Sequence, residues 1–267
     1  MLDAVMMIWF TLTAASLIFV ALDIQHVPAN PVLKWGFILL TAYGGPFALL
    51  LYLFGCRKRD AAEHAKFVSV RWRQVLGSTM HCVAGDGVGI LAGAVIAAII
   101  ALPLLADLAL EYVLGFAFGW MIFQALFMRD MAGGSYLRSL KSTFISELLS
   151  MNCLMGGMIV VSVLAWRGVP EAHDPTHGLF WFRMSIALMV GFVCAYPMNW
   201  WFVSHHLKHG MMTVLPHGEA QPDAPAENKM AGMKMEPSVS NAKIAGMAAV
   251  SFAVLGAGLL IAFAGRG

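Results

Sequence analysis

One apolar stretch decides the fold: Val75–Leu102, which reads VLGSTMHCVAGDGVGILAGAVIAAIIAL. An α-helix rises about 1.5 Å per residue, so a stretch of this length can cross the hydrocarbon core of a bilayer, which is roughly 30 Å thick. Lipid offers no partner to backbone N–H and C=O groups, and a helix satisfies these groups internally. The stretch is therefore predicted to be a membrane-spanning helix.

Small residues recur at every fourth position along this stretch, as Gly85, Gly89, Gly93 and Ala97. Residues four apart share a helix face, and small side chains there let two helix backbones approach closely in a bilayer. The next apolar stretch carries glycines at the same spacing, Gly115 and Gly119. The pattern predicts a close crossing of the third and fourth spans.

The composition of the whole chain agrees with a membrane protein. Of its 267 residues, 60% are hydrophobic and only 12% are charged, whereas soluble domains carry about 25% charged residues. The net charge of +2 gives no reason to expect a nucleic-acid partner. The four cysteines form no C-x-x-C pair, so a disulfide framework is not expected.

Seven apolar stretches are long enough to span a bilayer. They are Ala4–Leu22, Leu33–Phe54, Val75–Leu102, Ala109–Phe127, Thr143–Trp166, Leu179–Val203 and Ile244–Ala264. The predicted fold class is an all-α, polytopic transmembrane helix bundle with a six-helix core over residues 1–209. A flexible cytoplasmic linker rich in Met, His and Pro follows over 210–243, and a seventh helix is appended over 244–267. Glycines and proline at Gly44–Pro46 predict a kink in span two.

The basic residues predict the orientation, because cytoplasmic loops carry an excess of Lys and Arg. Most of the 17 lysines and arginines fall between spans two and three, four and five, and six and seven. We therefore expect the N-terminus in the cytoplasm and the C-terminus outside. Asp23 would then lie at the outer end of span one, and Arg57 at the inner end of span two.

Span three carries polar residues where a membrane helix should be apolar: His81, Cys82 and Asp86. An ionisable residue inside a span costs about 3 kcal/mol on insertion scales and normally faces the bundle interior. The simpler interpretation is that these residues lie close enough to the cytoplasmic surface to be wetted. Arg71 and Arg73 would then supply counter-charges to Asp86.

Other spans place polar residues at the same predicted depth, which favours a shared interior site. These residues are Gln124 in span four, Glu147 and Asn152 in span five, and Tyr196 and Asn199 in span six. A buried polar cluster at one level is typical of a substrate site or an ion path. We expect these five side chains to bind a ligand or relay protons.

The donor types point towards a transition metal, because thiolate, thioether and imidazole favour Cu(I) or Zn(II). His81, Cys82 and Asp86 would form the inner site. Span five adds methionines on the Glu147 face that would line a path, Met151, Met155 and Met158. His205 and His209 stand four apart, the spacing at which two imidazoles on one helix share a metal. No haem is predicted, because only His81 is clearly placed as an axial ligand.

The sequence therefore predicts transport or storage of a transition metal, copper foremost, across the membrane. The main alternative is a non-catalytic accessory or assembly subunit of a membrane complex, whose partners would be other membrane subunits. A redox or haem subunit is a third option. No H-E-x-x-H or G-x-S-x-G signature is present, so an enzyme is not predicted.

Several motifs resemble those of the bacterial membrane proteins grouped as domain of unknown function 4396. They are WRQVLGSTMHCVAGDGVGI, GFAFGWMIFQALFMRDM, ELLSMN and AYPMNWW, in spans three to six. The resemblance covers the six-span core from Met1 to about His209 and implies a multi-pass protein of the bacterial inner membrane. It supplies no established activity. Asp86 stands where the family pattern H-C-x-x-G-C has its second cysteine, so a purely soft metal site is not implied.

Overall fold

The computed structural model describes residues 1–129, 134–211 and 239–264. The helices in these ranges are α1 (Leu2–Asp23), α2 (Pro31–Gly55), α3 (Ala61–Val68), α4 (Arg71–Ile99), α5 (Leu104–Ala117), α6 (Ala125–Met128), α7 (Tyr136–Leu164), α8 (Gly178–Ser204) and α9 (Asn241–Ala264). A π-helical turn, Phe118–Gln124, joins α5 to α6. Short 3₁₀ turns occur at Ile24–His26 and Pro170–His173.

Seven helical stretches among the described residues are long and apolar enough to cross a membrane, which confirms the predicted fold class. They are α1, α2, α4, α5 with its π-helical turn, α7, α8 and α9. The predicted linker falls almost wholly on residues 212–238, which lie outside the described ranges.

The second of these helices is bent back on itself. Gly45 has φ 52° and ψ −133°, a conformation that glycine adopts without penalty, and it precedes Pro46, which cannot donate a helical hydrogen bond. The rings of Phe37 and Tyr52 lie 5.5 Å apart, whereas fifteen residues of straight helix would separate their backbones by about 22 Å. Helix α2 is therefore a helical hairpin.

Both ends of the hairpin lie beside the end of α1. Asp23 accepts hydrogen bonds from Tyr52 Oη (2.7 Å), Arg57 Nε (2.7 Å) and Arg59 Nη2 (2.7 Å). The expectation that Asp23 and Arg57 lie on opposite sides of the membrane is wrong, because the bend at Gly45 returns the chain to the level at which α2 begins. We call this end of the bundle the Asp23 end.

The opposite end, which we call the Met1 end, holds the start of α1 and of α8. The Phe182 ring lies 5.9 Å from Trp9 and 6.0 Å from Trp166 at this end. Helix α2 does not run from one end of the bundle to the other. The long helices that follow it alternate in direction, so Ala264 at the end of α9 also lies at the Met1 end. Met1 and Ala264 thus share one end, in place of the opposite sides expected from seven straight crossings.

The predicted close packing of the glycine-rich helices is confirmed in α4 and α5. A Cβ added at Gly89 would lie 2.7 Å from the Gly115 Cα, and one added at Gly85 would lie 2.8 Å from the Gly119 Cα. Real Cβ atoms do not come this close, so only glycine fits at these positions. The close contact brings the π-helical turn against the polar part of α4.

Helix α9 packs along α7 in the same direction. Ser251 Oγ donates to the Leu149 carbonyl (2.9 Å), and a Cβ on Gly258 would meet the backbone of Gly156. The seventh helix, which the sequence analysis treated as appended to a six-helix core, therefore packs directly against α7.

Candidate functional site

A lysine ammonium is buried inside the bundle between a carboxylate and a thiol. Lys208 Nζ lies 2.9 Å from Glu147 Oε2 and 2.6 Å from Cys82 Sγ. The side chains of Lys208 and Glu147 are 1% and 0% exposed. The Cys82 thiol also lies 3.4 Å from Glu147 Oε2 and completes the triangle. With Asp86, which is described below, we call these residues the ion-pair cluster.

Each member of the cluster comes from a different segment or turn. Cys82 and Asp86 lie one turn apart on α4, and Glu147 lies on α7. Lys208 lies beyond the end of α8. The close α4–α5 packing and the α7–α8 contact hold these segments around one interior point, at the level where sequence analysis placed its polar site.

The chain folds back after α8 and carries Lys208 inward. Helix α8 ends at Ser204, and His206 has φ 57°, a left-handed conformation that turns the chain. Gln74 Nε2 donates to the Met211 carbonyl (2.9 Å), which fixes the returning segment against α4. Gly77 leaves room for the Met211 side chain, because a Cβ at that position would lie 2.8 Å from it.

The ammonium of Lys208 stays charged in this place. Burial disfavours its charged form, but Cys82 and Glu147 beside it outweigh burial and raise the pKa of Lys208 above its ordinary value. Lys208 therefore acts as a fixed positive charge at physiological pH.

Asp86 is a second carboxylate in the same interior. It is fully buried, and neither carboxylate oxygen has a hydrogen-bond partner among the described residues. One oxygen of the Asp86 carboxylate lies where a side chain on Gly119 would be, and Gly119 belongs to the π-helical turn. Such turns are rare and are frequent at functional sites. No feature of the sequence indicated this one.

Two further predicted residues lie beside this turn. His81 is 3% exposed, and its ring lies 5.8 Å from that of Phe123. Gln124 is buried at the end of the turn.

The predicted asparagines join helices within a few residues of Glu147. Tyr112 Oη donates to Asn152 Oδ1 (2.6 Å), which links α5 to α7. Asn199 Nδ2 donates to Ser150 Oγ (2.8 Å), which links α8 to α7. Tyr196, in contrast, donates to the Trp72 carbonyl (3.0 Å) at the edge of the bundle and does not join the ion-pair cluster.

The three predicted methionines of α7 are all buried. Met151, Met155 and Met158 are 0%, 1% and 1% exposed and belong to the main hydrophobic core. The Met151 methyl group fills the space left by Gly115, because a Cβ there would lie 2.7 Å from it. The structure thus gives these side chains a packing role, and their proposed role along a metal path stays a prediction.

The predicted histidine pair does not form as expected. His205 directly follows the last residue of α8, and its Nδ1 lies 2.9 Å from the Trp201 carbonyl. The left-handed turn at His206 follows, so His205 and His209 do not share a helix face. Burial lowers the pKa of His209 to about 4, and the nearby His206 adds a smaller effect in the same direction.

Lys208 was not among the predicted site residues, because it follows the sixth apolar stretch and was expected in a cytoplasmic loop. The available signal was Glu147, which lies in an apolar span and needs a counter-charge. No group of three or more His, Cys, Asp or Glu side chains within the described ranges is arranged to hold a metal ion. In the ion-pair cluster, Lys208 occupies the space between the donors Cys82 and Glu147.

One family of known protein sequences matches the part of the chain that contains the ion-pair cluster. A family model described as "Domain of unknown function (DUF4396)" matches residues 71–208. The match begins at the first residue of α4 and ends at Lys208, so it contains every member of the ion-pair cluster. No curated protein and no solved structure matches the chain.

Proposed function

The chain belongs to the domain of unknown function 4396 family, and from its own geometry we propose that it is a membrane transport protein for a cation. The ion-pair cluster is the proposed cation site. In the structure described here, the Lys208 ammonium occupies it.

The buried ammonium is the single observation that carries this proposal. An ion pair taken out of water pays a desolvation cost of several kcal/mol per ion, and apolar side chains of similar size often give equal or greater stability. Stability alone therefore does not account for Lys208 and Glu147. Ionisable residues inside a membrane bundle are by default functional and mark ion or proton pathways.

The charges in the cluster favour a cation. The Lys208 ammonium contacts the Glu147 carboxylate, and a second carboxyl group, that of Asp86, lies one helical turn from Cys82. Both Asp86 oxygens and Glu147 Oε1 lack hydrogen-bond partners among the described residues. When both carboxyl groups are ionised, their two negative charges exceed the single positive charge of Lys208, so the cluster attracts a cation.

The donor chemistry supports Cu(I) or Zn(II) as the transported ion. The Cys82 thiolate and the His81 imidazole are donors that both metals accept, and carboxylates add to the preference for Zn(II). A metal ion would take the place of the Lys208 ammonium. Lys208 lies on a segment that is not helical and turns at His206, so it can leave without unwinding a membrane helix.

Metal titration of the purified full chain tests the proposal. We expect Zn(II) or Cu(I) to bind the wild type, and Glu147→Gln and Cys82→Ser to weaken binding by about tenfold or more. Lys208→Gln removes the competing ammonium and should bind the metal more tightly than the wild type. Lys243→Gln, which changes an exposed lysine at the same bundle end, is the matched control and should bind as the wild type does.

Failure of both the wild type and Lys208→Gln to bind either metal would contradict the cation site. It would favour the accessory-subunit alternative. Binding that Glu147→Gln and Cys82→Ser leave unchanged would place the metal elsewhere and would equally overturn the assignment.

A further inference from the structure

A cavity of about 210 Å³ lies between the tip of the α2 hairpin and helices α1, α4 and α8. Helix α1 contributes Phe10 and Thr13 to its lining, the hairpin contributes Tyr43, and α8 contributes Trp181 and Ser185. An apolar cavity of about 150 Å³ holds a benzene molecule. The cavity beside the hairpin therefore has room for a substituted six-membered ring.

Helices α1 and α8 line this cavity with the same order of side chains. Both helices begin at the Met1 end, and on each an aromatic residue is followed one turn later by a hydroxyl residue, Phe10 by Thr13 and Trp181 by Ser185. Residues three or four apart share a helix face. The rings of Phe10 and Trp181 are 36% and 41% exposed, whereas Ser185 is 5% exposed. The cavity thus has an aromatic mouth and a polar floor.

The hydroxyl group of Thr13 on this floor has no hydrogen-bond partner among the described residues, although it is buried. It lies against the bend of α2, because a Cβ added at Gly45 would meet Thr13 Oγ1. A buried donor that makes no hydrogen bond is unfavourable, and a ligand with an acceptor atom would remove this cost. The Tyr43 hydroxyl, in contrast, already donates to the Val83 carbonyl (2.7 Å).

The chemistry of the lining limits the class of ligand. None of the described residues that line the cavity carries a charge. A fatty-acid carboxylate or a phospholipid headgroup would be buried there without a counter-charge, which is costly. A hydrocarbon chain would leave the Thr13 hydroxyl unsatisfied. An uncharged ring with hydrogen-bond acceptors satisfies both the aromatic mouth and the polar floor.

We propose that this cavity binds the ring of a lipid-soluble quinone. A ring carbonyl accepts hydrogen bonds from the hydroxyl groups of Thr13 and Ser185. The apolar tail leaves between Phe10 and Trp181, whose exposed rings lie at the mouth, and enters the bilayer. The cavity shares no lining residue with the ion-pair cluster, so quinone binding does not depend on the proposed cation site.

Tryptophan fluorescence of the full chain in mixed micelles tests the proposal. The probe is decylubiquinone, a benzoquinone with a ten-carbon tail, because quinones quench tryptophan at short range. We expect saturable quenching in the wild type and a smaller amplitude in Trp181→Phe. Thr13→Val keeps the shape of the side chain without its hydroxyl and should bind about fivefold more weakly. Thr11→Val, the matched control, removes a hydroxyl that donates to the Met7 carbonyl outside the cavity and should bind as the wild type does.

A steric variant and a competitor complete the test. Ala42 lines the cavity and is exposed, so Ala42→Leu should fill the space and abolish saturable quenching. Ala14→Leu, at an exposed position of α1 outside the lining, should quench as the wild type does. Decylbenzene has a ring and the same tail without the carbonyl groups, and it should not displace decylubiquinone.

Three results would overturn the quinone site. They are no saturable quenching in the wild type, unchanged quenching in Ala42→Leu, and equal affinity in Thr13→Val and the wild type. Displacement by an equal concentration of decylbenzene would show that a hydrocarbon chain occupies the cavity and would also overturn the proposal. If Ala42→Leu does not yield folded protein, Thr13→Val decides.

Discussion

Removal of the Lys208 ammonium should destabilise the folded protein strongly. Lys208→Met keeps most of the length of the side chain but leaves Glu147 buried without its counter-charge. The variant loses the contacts at 2.9 Å to Glu147 Oε2 and at 2.6 Å to Cys82 Sγ. Breaking a buried ion pair by removing one partner costs about 3–5 kcal/mol. We expect a loss of that size in the free energy of unfolding.

The same reasoning predicts that a second substitution restores stability. Glu147→Met alone leaves the ammonium unpaired and should cost a similar amount. In the double variant, Lys208→Met with Glu147→Met, no unpaired ion of this pair remains. Its loss should be smaller than the sum of the two single losses by at least about 2 kcal/mol.

Unfolding in mixed micelles, followed by fluorescence of the 8 tryptophans, measures these free energies. Lys243→Met is the control and should unfold as the wild type does. The folded pKa of Lys208 is raised, so its contribution is fully present below the ordinary lysine value of 10.5 and is lost only as the pH rises beyond it. The loss in Lys208→Met should therefore persist up to about pH 9 and diminish only at higher pH. A Lys208→Met variant as stable as the wild type, or single losses that add in the double variant, would refute the reasoning.

Three further predictions concern the fold. Reporter fusions at the two chain ends should report the same side of the membrane, because α2 is a hairpin. The basic residues lie at the Asp23 end, so we expect that end in the cytoplasm and both chain ends outside. Reporters on opposite sides of the membrane would contradict the hairpin. Gly89→Leu should abolish the folded bundle in size-exclusion chromatography, because any Cβ there meets the Leu114 and Gly115 backbone, whereas Gly246→Leu, with open space around it, should not. Burial lowers the pKa of His64 to about 4, so the neutral imidazole contributes to the free energy of unfolding above pH 6.5, and this contribution is lost as the pH falls towards 4. In His64→Leu, the free energy of unfolding should therefore fall less between pH 6.5 and 4 than in the wild type. An equal fall in both proteins would contradict the burial of a neutral imidazole.

The fold could be predicted from the sequence where a pattern has one physical meaning. Glycines every fourth residue in an apolar stretch indicate close helix packing, and α4 and α5 pack at Gly85 and Gly89 as expected. Length and hydropathy do not distinguish a straight span from a hairpin of the same length. The bend in α2 depends on the backbone conformation of Gly45, and the sequence indicated a kink there but not its angle.

The site could be predicted in part for the same reason. Cys82, Asp86 and Glu147 stand out because charged or polar groups in apolar helices must face the interior. Lys208 does not stand out, because a lysine just beyond a span normally lies in the aqueous loop. Its inward direction is set by the left-handed turn at His206 and by the Gln74–Met211 hydrogen bond, and neither leaves a periodic pattern in the sequence.

Amine labelling of the native protein, read out by mass spectrometry, tests the central claim most directly. Lys208 should be protected while exposed Lys243 reacts, and saturating Zn(II) or Cu(I) should release Lys208 for labelling. Reaction of Lys208 at the rate of Lys243 without metal would show that the ammonium is not buried. Protection that persists with bound metal would show that the metal does not take its place.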